Sequence, residues 1–418
     1  MLLIALVIVR VASVTWSATS RTRGDFYASM PGAYVETLNP DLWNSADMTG
    51  AWGYHNHTYF HGPIQYLTLY PLGWFDTFAA IARVLLPIYA VLLGLGFWMM
   101  WKSAQRLGAG SPVFVPLLAS TFLFFPLLQA YLQREFEVVM TVALAGVLLA
   151  LVNDRRSPAA VLLAYLTWFK YIPLLFGCWL FLRRWWREAA IYVAVSAAIL
   201  LLSHWLFDLS RFFNNNVPGH ARQVFVLWGY GFGREETGHL YGTGFCEGWF
   251  DNESTLSNLR HGLCTMAAYN PWVQPPLFYL AICVSVAAIY LWTHFRLERM
   301  MLPALVEARR RAIELSIITT ICACFFFSHY YYLIVLVIPF NVLFILYLID
   351  RRYGALSLWA ISYFLVSAFV VPMTLMSRVA GFDVWEPYIW QGWFWYGEVL
   401  LVVLLMNEYR RLPALARH

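Results

Sequence analysis

Long apolar segments recur along almost the whole chain, and they decide what it can fold into. A membrane-spanning helix needs about 20 apolar residues at a rise of 1.5 Å per residue. Charged residues make up only 12% of the 418 residues, about half of their share in soluble domains. The sequence therefore predicts an all-α polytopic membrane protein, with one membrane domain over residues 1–418. Ten segments are long enough to span, at approximately 1–18, 78–101, 112–131, 136–152, 187–207, 275–295, 312–328, 331–349, 355–376 and 393–409.

The first of these segments resembles a signal peptide in length but differs from one in composition. It lacks a basic n-region, and Arg10 interrupts its apolar core. We therefore interpret residues 1–18 as a first spanning helix.

The segment 159–182 is apolar but carries Lys170 at its middle and Pro173 shortly after it. Basic clusters flank it on both sides, in NDRRS at 153–157 and in RRWWR at 183–187. Basic residues gather in the cytoplasmic loops of membrane proteins. A single span would place the basic clusters of all later short loops outside. A re-entrant pair of short helices keeps every cluster inside, so we predict a re-entrant hairpin, with both chain termini in the cytoplasm.

Two long loops, at 19–77 and 208–274, lie on the outer side in this topology. Fifteen of the 23 acidic residues and most of the histidines are also on that side. Because the cytoplasmic loops are short and basic, we expect the extracytoplasmic loops to form the active-site cavity. Cys246 and Cys264 share the second outer loop and can form a disulfide if that loop faces an oxidising compartment.

Asp25, in the sequence RGDFY, lies about one helical turn beyond the first span. Its carboxylate can cap a helix or pair with Arg21 or Arg23, as acidic residues near helix starts often do. It can also act as a general base at the membrane surface and take a proton from a hydroxyl acceptor. Position alone favours the structural role.

Three cationic or titratable residues are candidates for binding a lipid phosphate: Lys170, Arg134 and His329. A lysine in the middle of a membrane costs roughly 2.5–3.5 kcal/mol, so Lys170 needs a phosphate or carboxylate partner unless it snorkels. Arg134 either pairs with a neighbouring acid or binds a phosphate through its fork of donors. His329 either holds a turn or hydrogen-bonds a developing charge.

Polar and aromatic residues of the outer side are candidates for substrate contacts. The segment from Gly53 to Trp74 is rich in His, Tyr and Trp, but no carboxylate lies among its histidines, so we expect substrate contacts or loop packing there and no metal. The candidate substrate-binding residues are His57, His61, Tyr66, Gln133, Glu137, Asn252, Glu253 and Ser254.

Several of these pieces, taken in chain order, resemble the motifs of glycosyltransferase family 87, whose members are polytopic GT-C-class enzymes that use polyprenyl-phosphate sugars. The similarity covers residues 23 to 339, and Leu132 and the triplet 252–254 depart from the family pattern. The matching pieces are RGDFY, QREFEVVM, LTWFKYIPLLF, DNESTLSNL and FSHYYYLIVLVIP.

The resemblance implies a GT-C-like bundle and inverting transfer of a hexose or pentose, with mannose as the first expectation. The donor would be a polyprenyl-phosphate sugar, and the acceptor a hydroxyl of a lipid-linked or cell-envelope glycan at the outer leaflet of a bacterial inner membrane. Asp25 would be the general base, and Lys170, His329 and Arg134 would bind the donor phosphate. Because phosphate is a good leaving group, no metal or other cofactor is expected. No nucleic-acid partner is expected either, since the chain has no basic run long enough to suggest one.

Other functions are also consistent with the pattern. A lipid-linked glycan ligase or polymerase would depend on Arg211, Arg222 and Arg260 more than on Asp25. A secondary transporter would show discontinuous helices in two corresponding halves, whereas this chain has one such hairpin and no evident second copy. A non-catalytic assembly protein would not need so many polar residues on the outer side.

Overall fold

The fold is described from a computed structural model, and every regular element among the residues that it describes is a helix, which confirms the all-α class. The described residues are 4–5, 7–10, 12, 64, 67–68, 78–133, 136–170, 174–207, 264, 266–267, 274–326, 330–368 and 393–416. The α-helices are α1 (Phe78–Arg106), α2 (Phe114–Phe122), α3 (Phe125–Gln133), α4 (Glu137–Val152), α5 (Arg156–Lys170), α6 (Leu174–Leu182), α7 (Trp186–Phe207), α8 (Pro275–Glu298), α9 (Ala304–Phe326), α10 (Val337–Ile349), α11 (Tyr353–Tyr363) and α12 (Trp393–Leu415). Short 3-10 helices occur at Ser111–Val113 and Tyr330–Leu336, and a π-helical turn at Phe364–Ala368.

Two helices in the described part of the chain are long and apolar enough to cross a membrane, over Arg83–Arg106 and Trp186–Trp205. A third candidate is a broken pair, Ser111–Phe122 with Phe125–Leu132, whose two halves are bent by 54°. Shorter apolar helices cover Glu137–Val152, Leu333–Ile349 and Tyr353–Ser367. These helices support association with a membrane. The full set of ten spans and the re-entrant hairpin remain predictions.

Helix α7 has both the length and the surface of a membrane-spanning helix. Between its first and last turns the outward side chains are apolar, and Leu201 is 70% exposed. The exposed indoles of Trp186 and Trp205 lie near its two ends, about 28 Å apart along the axis at 1.5 Å per residue. That distance is close to the roughly 30 Å of a bilayer hydrocarbon core, and exposed tryptophans are typical of the two membrane interfaces.

The segment 112–131, predicted as one span, is broken between α2 and α3. Pro126 lies in the first turn of α3 and has no backbone N–H to donate to the preceding turn. The backbone N–H of Phe125 instead donates to Ser367 Oγ at 3.0 Å. A proline and a side-chain partner that takes over a backbone hydrogen bond are common causes of sharp helix bends.

The basic loops meet at one end of the helix bundle. Arg311 on α9 pairs with Asp154 after α4 at 2.6 Å, and Arg183 after α6 pairs with Glu298 at the end of α8 at 2.9 Å. Two further ion pairs lie at this end of the bundle. Arg309 pairs with Asp350 in the loop after α10, and Arg352 of the same loop pairs with Glu408 in the last turns of α12. We call this end of the bundle the basic end. We call the opposite end the far end; α3 and α5 end there, and α4 and α12 begin there. The charge pattern of the sequence thus correctly grouped these loops on one side.

Helices α5 and α6 form a hairpin that leaves the basic end and returns to it. The guanidinium of Arg156, at the start of α5, lies 4.8 Å from the ring centroid of Trp185, just after α6. Arg183 lies at the same distance from that ring. The start of α5 and the end of α6 therefore share one contact point at the basic end.

Gly397 allows α12 to approach the last turns of α11 closely. A Cβ at this position would lie 2.8 Å from the backbone oxygen of Ser362 and 2.7 Å from Val366 Cγ2. Ser362 Oγ also donates to the Gly397 carbonyl at 2.6 Å. Small residues are typical of such contacts between membrane helices.

We expect Gly397→Ala to destabilise the fold by about 1–3 kcal/mol, because an extra methyl group in a filled contact forces the backbone apart. Thermal unfolding of the detergent-solubilised protein measures the effect. Gly94→Ala is the matched control, since a Cβ at Gly94 has no neighbour within 4 Å. Equal melting temperatures for the two variants would contradict the close approach.

Candidate active site

Most of the predicted site residues lie outside the described residues, and the structure describes three of the predicted positions at least in part. The side chain of Glu137 is described, together with the backbone of Gln133 and Lys170. The predicted site residues outside the described residues are Asp25, His57, His61, Tyr66, Arg134, Asn252, Glu253, Ser254 and His329.

The three described positions lie at the far end of the bundle. Helices α4 and α5 are packed neighbours joined by a short turn at the basic end. Glu137 is the first residue of α4 and Lys170 is the last of α5, and these helices have 16 and 15 residues. At 1.5 Å per residue they are about 24 and 22 Å long, so the two positions lie at a similar depth. Gln133, at the end of α3, lies four residues before Glu137.

The structure buries Glu137, which the sequence suggested only as a substrate contact. Its side chain is 1% exposed at the first turn of α4. A helix N-terminus favours a negative charge because the unpaired N–H groups of the first turn point toward it. An acidic residue inside a membrane domain is a functional candidate by default, since burial is costly for it.

The 3-10 helix Tyr330–Leu336 packs against α3 and α4. It follows α9, which runs from the basic end to Phe326. It leads into α10, which returns to the basic end at Asp350. The described chain on either side of residues 327–329 is therefore at the far end, beside the helices that carry Gln133 and Glu137.

A second buried carboxylate, that of Glu398, was missed by the sequence analysis. It is 1% exposed and lies in the second turn of α12, in the half of that helix nearer the far end. The signal that points to it is an acidic residue within an apolar span. The apolar length of 393–409 predicts a spanning helix and gives no weight to a single acid within it.

The basic end contains a largely buried network of charged side chains, with Glu298 at its exposed edge. Glutamates of α8 and α9 lie among the arginines of the basic end. We call the network the ion cluster and define it by six residues, Arg183, Glu298, Glu307, Arg310, Arg311 and Glu314.

Glu314 is the centre of the ion cluster and is fully buried. Arg310 Nε donates to its Oε1 at 2.9 Å, and Trp179 Nε1 donates to its Oε2 at 3.0 Å. The hydroxyl of Tyr409, on α12, donates to Oε1 at 2.6 Å, and His294 Nδ1 lies 3.5 Å from the same oxygen. One carboxylate thus joins α6, α8, α9 and α12.

The remaining charges of the ion cluster are also paired. Arg310 Nη2 donates to Glu298 Oε1 at 2.7 Å, and Arg311 Nε donates to Glu307 Oε1 at 3.0 Å. Arg183 bridges Glu298 and Glu307. Three arginines face three glutamates, so the formal charges cancel. A buried network whose charges cancel is suited to holding helices together rather than to receiving a phosphate.

Two further observations concern ligands. In the part of the chain that the structure describes, no group of His, Cys, Asp and Glu side chains has the arrangement of a metal site. An open apolar groove of about 400 Å³ is lined by Val7, Ile8, Ala12, Leu118 and Phe122. Its lining suits a hydrocarbon chain.

Cys264, in the second predicted outer loop, is disulfide-bonded. Cys178, Cys283 and Cys322 are not disulfide-bonded. Cys246, the suggested partner of Cys264, lies outside the described residues.

The model of glycosyltransferase family 87 matches residues 59–328, which is more than half of the chain. The matched range includes α1 to α9 and therefore both the far-end positions on α3 to α5 and the ion cluster. Asp25 precedes this range, and His329 follows it by one residue. No curated protein matches the chain.

Proposed function

Because the chain belongs to glycosyltransferase family 87 and is therefore a glycosyltransferase, we propose the following reaction for it. It transfers a hexose or pentose, with mannose as the first candidate, from a polyprenyl-phosphate donor. The acceptor is a hydroxyl of a lipid-linked or cell-envelope glycan at the outer leaflet of a bacterial inner membrane. The observation that carries this proposal is the arrangement of Gln133, Glu137 and Lys170 at the far end, opposite the basic end.

The charge distribution supports an outward-facing site. Loops rich in arginine stay in the cytoplasm, and the loops after α4, α6, α8 and α10 meet at the basic end. With the basic end inside, the far end faces outward. The disulfide at Cys264 agrees with this orientation, since disulfides persist in oxidising compartments outside the cytoplasm.

The proposed reaction is a direct displacement at the anomeric carbon. The acceptor oxygen forms a bond to that carbon while the bond to the phosphate oxygen breaks, so the anomeric configuration inverts. Asp25 accepts the proton of the acceptor hydroxyl as general base. Lys170, Arg134 and His329 stabilise the negative charge that develops on the departing lipid phosphate.

The other polar candidates would bind the sugar or the acceptor. Glu137 and Gln133 lie at the depth of the Lys170 backbone and would contact hydroxyl groups near the transferred sugar. His57, His61 and Tyr66 of the first outer loop, with the triplet 252–254 of the second, would line the acceptor side. The apolar groove beside Phe122 would hold part of the polyprenyl chain.

A direct assay tests the proposed function. The purified protein in nanodiscs is supplied with synthetic polyprenyl-phosphate mannose and an alkyl mannoside acceptor. We expect release of polyprenyl phosphate and a disaccharide product of inverted anomeric configuration. Formation of product with retained configuration would contradict the displacement mechanism.

We expect Lys170→Met to weaken binding of the polyprenyl-phosphate donor roughly tenfold or more, because a hydrogen bond to a charged group contributes about 1.5–3 kcal/mol. Methionine keeps the apolar stem and removes the ammonium group. Titration with fluorescent polyprenyl phosphate measures the affinity. Lys102→Met is the control, because Lys102 is the chain's only other lysine and is exposed near the end of α1. Unchanged donor affinity in Lys170→Met would show that this lysine is structural.

A further inference from the structure

Helix α6 is short, and polar contacts join its last turn to α8 and α9. It has nine residues, and part of its surface is apolar and exposed, with Phe181 at 48%. Trp179, on the inner side of α6, is buried. Arg183, the first residue after α6, is buried as well. Both side chains reach into the ion cluster.

The inner side of α6 and the residue after it make hydrogen bonds to side chains of α8 and α9. Trp179 Nε1 donates to Glu314 Oε2 at 3.0 Å, and Arg183 Nη1 donates to Glu298 Oε1 at 2.9 Å. The carbonyl oxygen of Leu182 lies 3.4 Å from His294 Nε2. The end of the α5–α6 hairpin is thus held to α8 and α9 by hydrogen bonds and ion pairs within about one helical turn.

Polar contacts matter here because apolar packing alone positions a membrane helix weakly. Lipid tails are as apolar as leucine, so burial of apolar side chains gives little preference for one position over another. A buried ion network does give such a preference, since any other position would leave a charge without its partner inside the protein. The cancelling charges of the ion cluster are satisfied only when the hairpin is docked as observed.

We propose that Trp179, Arg183 and Glu314 are positioning residues for donor binding, which they influence through the α5–α6 hairpin. The ion cluster holds the hairpin in one docked position at the basic end. Helix α5 is about 22 Å long at 1.5 Å per residue and ends at Lys170. The position of the hairpin at the basic end therefore also sets the position of Lys170 at the far end. The proposal rests on the donor-binding role proposed for Lys170, and it adds that the affinity for a lipid phosphate is set from the other end of the bundle.

Two variants loosen the docking by different means. Trp179→Phe keeps an aromatic ring beside Trp185, whose ring centroid is 5.4 Å away, and removes the hydrogen bond to Glu314. Glu314→Gln keeps the shape of the side chain and removes its charge. The milder Trp179→Phe variant remains informative if Glu314→Gln does not fold.

Asp350→Asn is the matched control. Asp350 pairs with Arg309 at 3.1 Å. Arg309 lies on α9, the helix that also carries Glu314, and the pair is at the basic end. Among the described contacts, neither residue of this pair contacts the hairpin. The control therefore breaks an ion pair of α9 without loosening α6.

Two measurements are made on all three variants in nanodiscs. Hydrogen–deuterium exchange follows the backbone of residues 156–182 without any donor. Steady-state kinetics with polyprenyl-phosphate mannose then gives KM and kcat. For Trp179→Phe and Glu314→Gln we expect faster exchange in 156–182 and a donor KM raised on the order of fivefold or more, the usual lower range of coupling between sites. We expect kcat to fall by a smaller factor than the donor KM rises, since no reacting group is removed and only the position of Lys170 changes.

Three results would overturn the proposal. Equal exchange in Asp350→Asn and Trp179→Phe would show that the ion cluster does not dock the hairpin. Faster exchange with an unchanged donor KM would show that docking does not reach the donor site. A loss confined to kcat would indicate a role other than positioning. Failure of the wild type to bind polyprenyl phosphate would contradict the proposed function itself, and the donor-free exchange comparison would still decide whether the cluster docks the hairpin.

Discussion

We expect Asp25→Asn to reduce kcat for sugar transfer by about 10²–10⁴-fold, the usual contribution of a general base. Asparagine has nearly the shape of aspartate but cannot accept the proton of the acceptor hydroxyl. Donor binding does not require that proton transfer, so affinity for polyprenyl phosphate and thermal stability should both stay close to the wild type. Radiolabelled transfer from polyprenyl-phosphate mannose, measured beside donor titration, separates these quantities.

Asp41→Asn, in the same outer loop, is the control for a general effect of removing a carboxylate there. Substantial transfer by Asp25→Asn would return Asp25 to the structural role that its position alone suggested. The same experiment distinguishes the ligase or polymerase alternative. In that case Arg211→Gln, Arg222→Gln or Arg260→Gln would remove activity while Asp25→Asn would retain it.

The second large effect concerns stability. We expect Arg310→Met to lower the free energy of unfolding by about 3–5 kcal/mol, the usual cost of removing one partner from a buried ion pair. Arg310 is 3% exposed and donates to both Glu314 and Glu298. Methionine fills much of the same volume but leaves Glu314 with less compensation for its buried charge. Chemical denaturation in mixed micelles measures the change.

Asp154→Asn provides the comparison with an exposed carboxylate, whose partner Arg311 is buried but keeps a second partner in Glu307. The side chain of Asp154 is 63% exposed and pairs with Arg156 and Arg311. Partial burial acts to raise the pKa of Asp154, but the hydrogen bond from Arg156 and the charge of Arg311 lower it overall. Solvent screens such pairs, so the loss should be within about 1 kcal/mol.

A double variant tests the reason for the difference. Arg310→Met combined with Glu314→Gln removes both charges, so its loss should be smaller than the sum of the two single losses. Additive losses would mean that Arg310 and Glu314 stabilise the protein independently, contrary to the ion cluster as described.

Much of the helical architecture could be predicted from apolar length alone. The segment predicted at 136–152 is α4, Glu137–Val152, and the segment at 187–207 is α7, Trp186–Phe207. Both predictions succeed because a helix in an apolar environment satisfies its own backbone hydrogen bonds, whatever its neighbours are. The break before α3 was missed, although Pro126 was visible in the sequence.

The candidate site could be predicted in part. The motif order indicated glycosyltransferase family 87, and the family match confirms that resemblance. The sequence also singled out Gln133, Glu137 and Lys170, which the structure brings to one end of the bundle. It did not single out Glu398, because an apolar average over a span conceals a single acid within it.

Apolar length and loop charge are local properties of the chain, so the sequence alone indicated where α4 and α7 lie and which basic loops share one side. The partners of the charges at the basic end depend instead on how the helices pack. Arg183 and Glu314 lie far apart in the chain, and their meeting depends on how α6 and α9 are rotated about their axes. Helix rotation is set by packing against several neighbours at once. Arg183, Arg310 and Arg311, which the sequence indicated only as topology signals, are therefore members of the ion cluster.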